Sequence, residues 1–121
     1  MANGAPNPNV VAGFGDLTDP ETMLYYKLHL AMALRDQQLK NPNCSASQLY
    51  PVIQKITLLR AQLTQLHDSG IKLQAPLQAD IDNIKNLASQ VEKLTNDAAG
   101  QVAGLALIGQ VAAATSTLAG V

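Results

Sequence analysis

A chain of 121 residues has room for one modest core, and its composition is 47% apolar and only 14% charged, where ordinary soluble domains carry roughly a quarter charged residues. Eight basic and nine acidic residues give a formal charge of −1, with no basic run to release counterions, so no nucleic-acid partner is expected. The aromatics are Phe14, Tyr25, Tyr26 and Tyr50, with no Trp; an aliphatic core of this kind suits helices packed on helices.

Residues 1–15 are rich in Asn, Gly, Pro and Ala, with Val10, Val11 and Phe14 as the large apolar side chains. Such a segment buries too little surface to offset the entropy of ordering, so 1–17 is predicted to be a flexible N-terminal arm ahead of a single helical-bundle domain, 18–121. If the arm docks on anything, Val10, Val11 and Phe14 are its contacts. It has neither a basic n-region nor an apolar h-region, so the expected location is cytoplasmic, or exported without a cleavable signal peptide.

The first helix is predicted from Asp19-Pro20 to about Lys40. Asp19 is a good N-cap, Pro20 fits the first helical position, and Asn41-Pro42 must stop the helix. Its apolar residues cover most of its girth, Leu24, Leu28, Ala31 and Leu39 on one side, Met23, Leu30 and Leu34 on another. A three-helix bundle would leave such a helix partly uncovered, which points to contact with a partner. The second helix, capped by Ser47, carries the cleanest stripe: Leu49, Val52, Ile53, Ile56, Leu59, Leu63 and Leu66, ending at Gly70. The third starts near Pro76. Helices two and three, with a short connection, are expected to form an antiparallel hairpin.

From Leu77 the apolar residues recur every seven positions, as Leu77, Ile84, Val91, Ala98, Leu105 and Ala112, with Leu87, Leu94 and Ile108 three residues after members of that row. That is the seam of a long helix packed along one side. After Asp97 the chain has no charged residue. Three readings of 98–121 follow: a membrane span, diluted by Gly100, Gly104, Gly109 and Gly120 and unflanked by basic residues; a self-association surface, since Gly100 and Gly104 with Ala99 and Ala103 let backbones approach closely; or an Ala-rich extension that breaks near 97–100 and folds back over the bundle. The expected interface set is Ala99, Gly100, Val102, Ala103, Gly104, Leu105 and Ile108.

Catalytic and ligand chemistry find no footing. His29 and His67 have no Cys or carboxylate at ligand spacing, Cys44 is alone and has no base placed to activate it, Asp80 and Asp82 point to different helix faces, and no Gly-rich loop joins a strand to a helix. The expectation is no enzyme, no metal, no cofactor and no small-molecule substrate. The Asn41-Pro42 turn between two helices, without a signal peptide, resembles type III secretion needle subunits, small helical hairpins that polymerise; the longer Gly/Ala-rich third segment departs from them. The fold class is all-α: a small bundle built on an antiparallel helical hairpin, with an apolar Gly/Ala-rich C-terminal helix. The functional expectation is a non-enzymatic adaptor or structural component that binds a protein partner or itself. The alternative is a membrane-active or exported helical protein, secretion-apparatus-like or virulence-associated, whose uncharged C-terminal segment contacts lipid.

Overall fold

A computed structural model describes residues 7–121; residues 1–6 of the expected arm lie outside the described residues. Four helices carry the fold: α1 Pro20–Gln38, α2 Ala46–Ser69, α3 Gln78–Glu92 and α4 Ala98–Ala114. The local signals explain most boundaries. Asp19 caps α1, its carboxylate accepting from the Thr22 amide at 3.0 Å. Ser45, not Ser47, caps α2, because only Ser45 has a glutamine three residues on: Gln48 Oε1 accepts from the Ser45 amide while Ser45 Oγ accepts from the Gln48 amide, a reciprocal box that satisfies two orphan donors. Gly70 ends α2 in the left-handed conformation, φ 62°.

The helices alternate in direction. Glu21 at the start of α1 meets His67 at the end of α2, Oε2 to Nε2 3.3 Å. Asn43, just beyond α1, donates to Gln101 in the first turn of α4, and Lys27 donates to the Ser116 carbonyl just beyond α4. α1 therefore runs antiparallel to both. It packs against all three other helices, as does α4, whereas α2 and α3 do not pack on each other. The antiparallel hairpin is thus α1 with α2, around Asn41-Pro42, and not the expected pair of α2 with α3. The stripe of α2 (Leu49, Val52, Ile56, Leu59, Leu63) is covered by α1 and α4, and the chain after Gly70 crosses the bundle end instead of turning tightly, with Leu73 buried on the way.

This arrangement also accounts for the apolar girth of α1. Met23, Leu24, Leu30, Ala31 and Leu34 are buried because a fourth helix covers what a three-helix bundle would leave bare; Leu28 is half-buried and Leu39, past the end of α1, is exposed.

The long seam is two helices. α3 ends at Glu92 and α4 begins after Asp97, whose carboxylate accepts from the Gly100 amide and the Thr95 hydroxyl, both at 2.8 Å. An N-cap aspartate holds its own backbone extended (ψ 179°), which a continuous helix forbids. The heptad row accordingly splits: Ile84, Val91 and Ala112 are buried, while Leu77 is 70% exposed and Ala98 is also exposed.

From Asn7 the arm is placed against the bundle. Val10–Val11 (β1) pairs antiparallel with Gly15–Asp16 (β2). Leu17 is wholly buried, Phe14 meets Tyr26 edge-on at 5.0 Å, and Asn9 exchanges side-chain hydrogen bonds with Gln78 of α3. Val11 and Phe14 thus find their contacts within the chain itself. Composition hides this, because a few side chains, Leu17, Phe14 and Asn9, do the anchoring.

Candidate interaction surface

The expected interface residues divide between the two sides of α4. Gly100 and Gly104 face inward. A β-carbon at Gly100 would lie 2.0 Å from the Thr95 carbonyl oxygen, and one at Gly104 would lie 2.2 Å from the Gln38 amide nitrogen. The small pair does serve close approach, but to this chain's own backbone turn and to α1. Ile108 is buried in the core and Leu105 packs on it half-buried. These residues are not open to a second molecule.

Ala99, Val102 and Ala103 are exposed, together with Ala106, Gly109, Gln110 and Ala113. They form an outer strip along the whole of α4 without a charged side chain, and Val102, near its N-terminal end, is 69% exposed. Among the described residues no helix is long and apolar enough to cross a membrane.

The inner side of the α4 N-terminus is fixed by a buried amide network. Asn41 Nδ2 donates to Gln38 Oε1 at 3.0 Å and to the Gln101 carbonyl at 3.1 Å, and Asn41 Oδ1 accepts from the Asn43 amide. Gln38 and Asn41 are both buried, so each bond replaces one lost to water.

At the other end of α4, two lysines bracket Ser116, just past the C-cap Thr115. Lys27 Nζ donates to the Ser116 carbonyl at 2.7 Å and Lys55 Nζ to the Ser116 hydroxyl at 3.3 Å. Cations belong here, where the helix dipole is negative. Burial pushes the Lys27 ammonium below the usual lysine range, Asp80 opposes that shift and Lys55 adds to it. Lys27, Asp80, Asn83, Gln110 and Ser116 line a cleft of about 570 Å³ between α3 and the end of α4. Sequence reading passed over Lys27. The signal was there: it stands among Met23, Leu24, Leu30 and Ala31, in the apolar girth of α1 where a charge needs an acceptor.

A smaller hollow of about 280 Å³ lies beside Phe14, Tyr26, His29 and Glu92; burial, then the Glu92 charge, raises the Tyr26 phenol above its ordinary value. Burial also raises the Cys44 thiol above its ordinary value. His67, in the last turn of α2, lies 3.3 Å from Glu21 Oε2. Among the described residues no group of three His, Cys, Asp or Glu side chains could hold a metal ion. No protein-family model, no curated protein and no solved structure matches this chain.

Proposed function

We propose that this chain works by protein–protein contact, as a self-associating helical component, with the outer face of α4 as its contact surface. The observation that carries the reading is the strip of Ala99, Val102, Ala103, Ala106 and Gly109, which runs along α4 without one charged side chain, whereas the other exposed apolar side chains, Leu39, Tyr50, Ile53, Leu58 and Leu77, lie outside α4. Small side chains let the backbone of a second helix come close, so van der Waals contact accumulates without long side chains to order. A strip with no charge sets no like charges against each other when two copies meet face to face, as a two-fold pairing would require.

Sedimentation over a concentration series tests this. The wild-type mass is expected to rise with concentration, and Val102→Lys, which places an ammonium within the strip, is expected to remain monomeric with unchanged helical content. A wild-type chain that stays monomeric throughout would remove the second copy as the partner.

A further inference from the structure

Residues 116–121 are held in the manner of a bound peptide. Leu118 exchanges two hydrogen bonds with one side chain of α2: its amide donates to Gln62 Oε1 at 2.9 Å and its carbonyl accepts from Gln62 Nε2 at 2.8 Å. Beyond it the backbone pairs with the connector between α2 and α3. The Gln74 amide donates to the Ala119 carbonyl, the Val121 amide donates to the Lys72 carbonyl, both at 2.9 Å, and Leu73 and Gly120 form an antiparallel bridge. The Leu118 side chain packs against the cluster of Leu24, Leu59, Leu63 and Leu73.

Main-chain bonds along a strand edge with one side chain in an apolar socket is the grammar of peptide capture by strand addition: the backbone supplies affinity and the socket supplies choice. We infer that the groove formed by Gln62 and the Lys72–Gln74 edge is a peptide-binding site, occupied in cis by the chain's own tail, and that it takes in trans an extended, uncharged peptide with one leucine-sized side chain flanked by small residues. The tail is the template for that chemistry. Every group the groove uses, apart from the Leu118 side chain, is backbone on the ligand's side, so tail and partner are interchangeable in kind. This site lies apart from the outer face of α4 and does not depend on self-association there.

A tethered occupant sits at an effective concentration in the millimolar range, so a free peptide competes only once the tail is loosened. The probe is the synthetic peptide of residues 115–121, titrated into full-length 15N-labelled chain carrying Leu118→Ser and read by the backbone amides of Lys72 and Gln74 and the side-chain amide of Gln62. Saturable shifts at these groups are expected in Leu118→Ser, at least tenfold weaker in the wild-type chain. They are expected to be lost when the peptide itself carries the Leu118→Ser change or when the chain also carries Gln62→Ala. Gln62 is only half-buried, so that second variant keeps the fold. No shift at these amides in a Leu118→Ser chain of native helical content, or equal shifts with the leucine and serine peptides, overturns the inference. Should Leu118→Ser unfold, Gln62→Ala alone decides: hydrogen exchange at Gln74, Leu118 and Val121 rises at least tenfold while that of Leu59 and Leu63 stays slow, and equal protection across both groups overturns the groove as a separable site.

Discussion

Gly104 sits against Gln38 so closely that a β-carbon would meet the glutamine amide nitrogen at 2.2 Å. The contact couples the first turns of α4 to the last turn of α1, and it gives three glycines of one helix three different meanings. At Gly100 the obstacle is the backbone carbonyl of Thr95, which cannot swing aside; at Gly104 it is the end of a side chain, though a buried one bonded to Asn41; at Gly109 no atom lies within 4 Å. Gly109→Ala is therefore expected to stabilise the fold by up to about 1 kcal/mol, the helix-propensity gain alone. Gly100→Ala should lose about 1–3 kcal/mol net, since overpacking against backbone outweighs that gain. Gly104→Ala falls between them. Urea midpoints of the three variants check the order, and a stabilised Gly100→Ala would mean that the turn at Thr95 is loose.

The amide network beside this contact predicts a second effect. Asn41→Ala removes two donated bonds and one accepted bond and leaves the buried Gln38 oxygen and the Gln101 carbonyl without that donor. Unsatisfied buried groups cost more than the bonds contribute, so a loss of about 1–3 kcal/mol is expected. Asn41→Asp, which cannot donate from that position, should do no better than alanine. Equal stability of wild type and Asn41→Ala would show that water serves the network equally well.

Periodicity and punctuation made the helices legible. Asp19-Pro20, Asn41-Pro42 and Gly70 mark real ends, and of the stripe read on α2 Leu49, Val52, Ile56, Leu59 and Leu63 are buried, while Leu66 is half-buried and Ile53 is exposed. Pairing was not legible, because a stripe says that a face is covered and not by which helix. A seven-residue apolar repeat likewise continues across a break if the loop has the right length, so the repeat alone does not separate one long helix from the break near 97–100, and the Asp97 cap places the break there. Of the expected interface set, Ala99, Val102 and Ala103 are exposed, whereas Gly100 and Gly104 face Thr95 and Gln38 of the same chain. A small-xxx-small pair predicts close approach and carries no information about which backbone approaches. The cis-bound tail left no sequence signal, since its partners are mostly backbone.

Asp97 predicts a specific dependence on pH. Hydrogen bonds from the Gly100 amide and then the Thr95 hydroxyl hold its carboxyl below the ordinary value of 3.8. A carboxylate whose folded pKa is depressed contributes stability that is present above the ordinary pKa and is lost as pH falls through the folded one. Asparagine caps a helix as well as aspartate and does not titrate in this range. Asp97→Asn should match wild type at neutral pH and lose less stability on acidification below about pH 4. The Asp16 carboxyl, lowered by bonds from Thr18, keeps its own acid dependence in both proteins. Parallel acid limbs, measured by thermal melts across the range, would remove Asp97 as a source.

The N-terminal hairpin gives the last prediction, because two of its residues should behave oppositely although sequence reading places both in one arm. Leu17 is 0% exposed and joins the main core, whereas Val10 is 52% exposed. Truncating a fully buried leucine removes its transfer free energy and leaves a cavity, so Leu17→Ala should cost about 2–5 kcal/mol. That is a large part of what a domain this size holds in reserve. Val10→Ser touches a mostly solvated side chain and should stay within about 0.5 kcal/mol of wild type. The pair separates an anchored hairpin from a loose leader: a leader predicts no effect at either position, whereas an anchored hairpin predicts a large shift in urea midpoint at Leu17 alone. Phe14→Ala falls between, since it removes the edge-on contact with Tyr26 and the 5.1 Å contact with His29 from a ring that is only partly buried.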